Sequence, residues 1–226
     1  MKRKFLSLFS ILLFSIASWS KEAPNTSLII TKYDWNITVD YSKPRIYSTC
    51  EIEIKNLSDK KVSTLPFVLY RLLKVTSVTD ENDSLPFSQK IQSFEDQEKL
   101  QSNFISVKLK KALHPTQSIK IKISYEGILY GYTEVGWNYV QDKLDPEFTT
   151  LRPDCLAYPR ALDILLMRLT KYSPGGNFDY RINVSIPDSL VAVNGGLLIS
   201  PKNLEWYFKL SIQEYQESMA NGYRNF

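Results

Sequence analysis

Residues 45–56 read RIYSTCEIEIKN. Ile46, Ser48, Cys50, Ile52 and Ile54 fall on one side of this stretch, and Tyr47, Thr49, Glu51, Glu53 and Lys55 on the other. A period of two puts small and apolar side chains on one face of an extended chain and polar ones on the opposite face. That is the pattern of a strand in an antiparallel sheet with one face buried. Asn56 to Lys60 (NLSDK) then reads as a turn. The period persists outward from here. Leu65–Leu73 and Val75–Thr79 are the next apolar stretches, followed by a polar hairpin loop, Asp80 to Ser84. Phe104–Leu109 and Ile119–Tyr125 read as a strand pair closed by residues 112–117, and this places His114 in a turn. Asp179–Pro187 alternates again. Val191–Ser200 contains Asn194-Gly-Gly, a hairpin-turn signal, and Leu204–Ile212 reads as a further strand.

Two segments break the alternation. Residues 126–160 are rich in aromatics, glycine and proline, and read as a long ordered excursion. Leu162, Leu165, Leu166 and Leu169 have helical spacing and predict one short amphipathic helix. Many short strands separated by turn signals predict an all-β fold: an antiparallel β-sandwich with that single helix.

The chain has 226 residues, of which 43% are hydrophobic and 23% charged. It can therefore build a substantial core. Met1–Lys4 is cationic, Phe5–Ala17 is apolar apart from serines, and Ser18 and Ser20 are the small residues before Lys21. This layout predicts a cleavable signal peptide over residues 1–20, with the β-domain over 21–226. The apolar run is too short to span a bilayer, and no later segment is apolar enough to do so. Export to a periplasm or the extracellular space follows as the expectation.

The formal net charge is +4. Removing Lys2, Arg3 and Lys4 with the signal leaves 25 basic and 24 acidic side chains. So neutral a surface gives no electrostatic footprint for nucleic acid. Cys50 and Cys155 are the only cysteines. In an exported chain they either pair as a disulfide or serve as small buried hydrophobes. N-x-S/T sequons occur at Asn25, Asn36, Asn56, Asn82 and Asn183, a motif short enough to arise by chance. His114 is the one histidine, which excludes any site needing two. G-x-S-x-G, the P-loop, the dinucleotide fingerprint and H-E-x-x-H are all absent.

The order of motifs is more telling than any one of them. EIEIKN (51–56) precedes LPFVLYRLLKVTSVTDENDSLPF (65–87), then FISVKLKKALHPTQSIKIKISYEG (104–127) and LYGYTEVGWNYVQD (129–142). TTLRPDCLAYPR (149–160) and FDYRINVSIPDSLVAVNGG (178–196) follow. This order resembles the N-terminal β-domain of the M1 zinc metallo-aminopeptidases. Tyr125 and Gly127 match that family's Y-x-G strand end, and Tyr158-Pro159 its aromatic-proline motif. Tyr180–Pro187 matches its strand ending in proline, and Asn194-Gly195 its small-residue turn. The resemblance covers about residues 30–212 and implies a saddle-shaped β-sandwich.

It also implies a thermolysin-like domain C-terminal to this one, carrying H-E-x-x-H and G-x-M-E-N. Neither motif is in this chain. The chain is thus expected to lack a catalytic residue, metal ligand or cofactor of its own, with zinc held only in a catalytic domain outside it. In the family, a T-Q-x-E-like segment of this domain meets the substrate amine. Here the matching residues are Thr149-Thr-Leu-Arg152, and an arginine repels an ammonium group. The expected role is a truncated or split peptidase part that forms one wall of a substrate cleft, or binds a peptide or a separate catalytic domain. Tyr130, Tyr132, Glu134, Trp137, Tyr139 and Arg152 are the candidate recognition surface, because aromatics mixed with a few charges favour recognition. The competing reading places these aromatics in the domain's own core or against the missing domain. Two other functions stay open: a stand-alone structural or adhesive sandwich, and a hydrolase working through carboxylates alone.

Overall fold

The structure, a computed structural model, describes residues 28–81, 83–132, 143–151, 155–161, 178–194, 197–200 and 205–208. The expected signal peptide and the helix expected over 162–169 lie outside the described residues. Eleven strands are described: β1 (Leu28–Asp40), β2 (Arg45–Asn56), β3 (Val62–Tyr70), β4 (Leu73–Thr79), β5 (Phe87–Phe94), β6 (Gln97–Leu113), β7 (Ser118–Gly127), β8 (Arg160–Ala161), β9 (Asp179–Ser185), β10 (Leu197–Ser200) and β11 (Glu205–Phe208). They form two sheets. The larger has seven strands in the order β10-β11-β9-β1-β2-β7-β4, and the smaller has four in the order β5-β6-β3-β8. The chain is thus an all-β, two-sheet sandwich, and among the described residues it has no α-helix.

β2 behaves as its alternation predicts. Ile46, Cys50, Ile52 and Ile54 are fully buried, while Glu51 points outward. The same period places Tyr33, Trp35, Ile37 and Val39 of β1 and Ile121, Ile123 and Tyr125 of β7 on the inner face. Leu65, Phe67, Val68 and Leu69 of β3 meet them from the smaller sheet. One continuous core results. β1 is the exception to antiparallel pairing: it runs antiparallel to β2 but parallel to β9. A parallel neighbour needs a long crossover, and the chain between β2 and β9 provides the whole smaller sheet.

Two connections differ from the local expectation. The loop Asp80–Ser84 closes as a hairpin, with an antiparallel bridge between Thr79 and Ser84 and the Leu85 N–H on the Val78 carbonyl at 2.9 Å, but β4 and β5 themselves do not pair: β4 lies in the larger sheet and β5 in the smaller. Likewise β6 and β7 flank the turn holding His114 but do not pair: β6 joins β3 and β5, while β7 joins β2 and β4. Alternation reports which face is buried, and two strands facing one core from opposite sheets carry the same pattern. Near the end of the chain β10 and β11 pair antiparallel. Val191 and Val193 are almost fully exposed and belong to no strand, and the Gly195-Gly196 pair of the expected turn lies outside the described residues.

The two sheets are tied at their edge by side-chain amides. Gln89 of β5 donates from Nε2 to the Val75 carbonyl (2.9 Å) and accepts from the Val75 N–H (3.0 Å), as a strand neighbour would. Asn103 of β6, 2% exposed, donates to the Leu73 carbonyl at 2.7 Å and to Gln89 Oε1 at 2.9 Å. The outer edge of β4 is thereby capped from the other sheet. That also removes it as a template for unwanted strand pairing.

Candidate functional site

Three buried tyrosines on three strands fix the irregular part of the chain. Tyr33 of β1 donates to the Pro159 carbonyl at 2.9 Å, and Tyr125 of β7 to the Ala157 carbonyl at 2.9 Å. Tyr70 of β3 donates to the Gly131 carbonyl at 2.8 Å and accepts from the Tyr130 N–H at 3.2 Å. A backbone bond from the Tyr70 N–H to the Leu156 carbonyl adds to this. A buried phenol needs a partner, and buried loop carbonyls need donors. Each pairing meets both needs at once. Burial pushes the phenol pKa values of Tyr33 and Tyr125 well above the ordinary 10.0, so both stay protonated donors.

This anchoring sets up a groove. On the β1–β9 side, the inner face of the larger sheet runs beyond the smaller one, whose edge there is the two-residue β8. A cavity of about 460 Å3 opens over Tyr33, Trp35, Tyr180 and Ile182. Its floor is a run of rings in edge or tilted contact. Trp35 lies 5.2 Å from Tyr158, and Tyr158 lies 5.4 Å from Tyr33. Tyr33 lies 5.1 Å from Phe178, which lies 6.5 Å from Tyr180. The Trp35 indole N–H donates to Ser48 Oγ at 2.7 Å, and Ser48 donates on to the Asn36 carbonyl, so the indole is tethered to β2. Asn194 Nδ2 donates to the Tyr180 hydroxyl at 3.0 Å and brings the 188–194 loop over the groove.

The rim is apolar and exposed: Phe148 is 77% exposed, Val191 88% and Val193 89%. Beside them Asp145 pairs with Lys143 at 2.9 Å and accepts from the Glu147 N–H. These contacts hold the Asp145 carboxyl below its ordinary range, led by the Glu147 N–H bond. Aromatic depth with a short charged lip suits a surface that receives another apolar chain or side chain. Among the described residues, no three His, Cys, Asp or Glu side chains converge as a metal site would require.

Of the six residues expected to form the recognition surface, Tyr130 and Tyr132 are described. Tyr130 is on the surface, 70% exposed. Tyr132 is not: it is buried, edge-on to Tyr70 at 5.2 Å, with the Arg71 guanidinium 5.5 Å from its ring, and it belongs to the core. Its burial follows from Tyr70, whose hydroxyl draws the Tyr130–Gly131 backbone inward. Glu134, Trp137, Tyr139 and Arg152 lie outside the described residues. Cys50 and Cys155 are both buried, and the structure holds them as thiols with no disulfide between them. His114 is an exposed turn residue, as its neighbours suggest.

The groove itself was not apparent from the sequence. Tyr33 and Trp35 share a face only once β1 is a strand. Tyr158 meets them because Tyr33 and Tyr125 hold the backbone on either side of it, and Phe178 because β9 runs parallel to β1. The available signal was the run of aromatics at Tyr33, Trp35, Tyr158, Phe178 and Tyr180, each on the apolar side of its own pattern.

This arrangement of sheets is the fold of the N-terminal β-domain of M1 zinc metallopeptidases. The native leukotriene A4 hydrolase of Saccharomyces cerevisiae superposes with a TM-score of 0.50 at 14% identity, over 85% of this chain and 29% of that one. An M1 zinc metallopeptidase from Deinococcus radiodurans, solved with a Tyr-Ser-Ala substrate, gives 0.49 at 16% identity, over 81% of this chain and 39% of that one. The chain thus spans roughly a third of the length of these enzymes. No protein-family profile matches it, and no curated protein matches it in sequence.

Proposed function

We propose that this chain is a non-catalytic β-domain, exported through residues 1–20 to a periplasm or the extracellular space, that works as the substrate-side wall of an M1-type peptidase. Its partner is a catalytic domain, in the same polypeptide or a separate one, or the peptide that such a domain receives. Zinc and the general base belong to that partner. The observation that carries this reading is the groove, whose aromatic floor is pinned to the core and whose rim exposes Phe148, Val191 and Val193. Apolar side chains exposed together at the mouth of a structured groove mark a surface that another body covers. The M1-type fold supports the identity of that body.

The non-catalytic part of the reading is tested by assaying the protein, purified without residues 1–20, against aminoacyl-arylamides with and without added zinc. No turnover above buffer is expected in either condition. Zinc-dependent turnover by the pure protein would overturn the assignment.

A further inference from the structure

The outer face of the larger sheet, across β1 from the groove, has a shallower depression of about 360 Å3. We propose that it binds a neutral oligosaccharide. The proposal rests on how strand register sorts side chains into rows. Asn183 of β9 stands beside Asn36 of β1, Asn36 beside Thr49 of β2, and Thr49 beside Ser124 of β7. Thr76, at the bulge in β4, completes the row by donating to the Ser124 carbonyl at 3.2 Å. With strands about 4.8 Å apart, five strands give a row about 19 Å long. Every member is uncharged, and every one offers both a donor and an acceptor. A chain of sugar hydroxyls requires that combination, and an ionic ligand does not.

The neighbouring row adds a stacking platform. Tyr47 is 40% exposed, flanked by Thr38 on β1 and Glu126 on β7. A half-exposed phenol ring presents an apolar face to the C–H side of a pyranose and a polar tip to its hydroxyls. The Glu126 carboxylate is held at 3.1 Å by Arg45 and can accept from two adjacent hydroxyls. Asn183 Nδ2 donates to Asn36 Oδ1 at 2.9 Å, which fixes both amides in one orientation. On the far side, the row Arg181, Asp34, Glu51, Lys122 balances its charges. That row is therefore neutral and does not by itself favour an anionic glycan or a nucleic acid. Rigid, pre-oriented polar groups reduce the ordering cost of binding.

The test is calorimetric titration of the protein with maltohexaose, cellohexaose, xylohexaose and N-acetylchitohexaose, and with a sulfated heparin hexasaccharide as the charged control. Saturable binding to at least one neutral chain is expected. Tyr47→Ala should weaken it by about tenfold or more, and Tyr47→Phe by no more than about threefold. Asn36→Ala should weaken it as well, whereas Val193→Lys in the aromatic groove should leave it unchanged. Circular dichroism of each variant confirms that it remains folded. No saturable heat with any neutral chain, binding of the sulfated chain alone, or binding indifferent to Tyr47→Ala would each overturn the proposal. None of these outcomes bears on the groove.

Discussion

Gly127, the last residue of β7, has neighbours on both sides: Ile46 of β2 and Leu73 of β4. Its φ is +154°, where residues with a side chain are rare. A Cβ built there would lie 2.0 Å from the Leu72 carbonyl oxygen and 3.0 Å from Leu73 Cα. Both are backbone atoms, so no rotamer change relieves the overlap. Gly127→Ala would have to push the Arg71–Leu72 turn away by more than an ångström, and Leu73 and Tyr70 on either side of that turn are fully buried. Backbone strain at such a φ costs about 1–3 kcal/mol. Forcing a methyl into a packed interior costs about 1–3 kcal/mol more. A loss of about 4 kcal/mol is therefore expected, a large share of the roughly 5–15 kcal/mol typical of a domain. Urea unfolding followed by tryptophan fluorescence reads this as a midpoint lower by about 2 M, for a slope of about 2 kcal/mol/M. A Gly127→Ala loss below about 1 kcal/mol would refute the close approach of Leu72.

Two further outcomes follow from the core. Asn103→Ala removes the donor to the Leu73 carbonyl and to Gln89 and leaves buried acceptors behind, so about 2–3 kcal/mol should be lost in the same unfolding measurement. Stability should also fall steeply in alkali. Burial raises the pKa of Tyr33, Tyr125 and Tyr132 above 10.0 and that of Cys50 above 9.0. The folded state therefore holds protons that the unfolded state releases. Their contribution is complete below about pH 9 and is lost as pH rises through 10 and beyond. Each such group adds about 1.4 kcal/mol per pH unit to the slope. A thermal midpoint unchanged between pH 9 and pH 11 would contradict the burial of these groups.

The two-sheet fold was legible because alternation is a local property. Each of β2, β7 and β9 announces its buried face within a few residues, and the turn at His114 is marked by its own residues. Sheet membership was not legible. Nothing in residues 104–125 distinguishes a hairpin from two strands that face each other across the core. The groove failed for the same reason, since it depends on the parallel pairing of β1 with β9 across 147 residues, as between Asn36 and Asn183. Gly127 shows the other side: the Y-x-G match pointed to the right residue, and only the structure gives the cause, a carbonyl where a Cβ would stand. Tyr132 marks the limit of reading a surface from aromatic content. The sequence gives Tyr130 and Tyr132 the same standing, and the Tyr70 hydroxyl separates them.

The central claim is that the aromatic groove is covered by an M1-type catalytic domain. The most direct measurement replaces Val193 with a photo-crosslinking benzoyl-phenylalanine in cells that make the protein, and identifies the cross-linked peptide by mass spectrometry. Lys120, exposed on the opposite face of the larger sheet, serves as the control position. The account predicts a cross-link from position 193 to a peptide of a domain that carries H-E-x-x-H, and none from position 120. No cross-link at 193, or the same products from both positions, would contradict it.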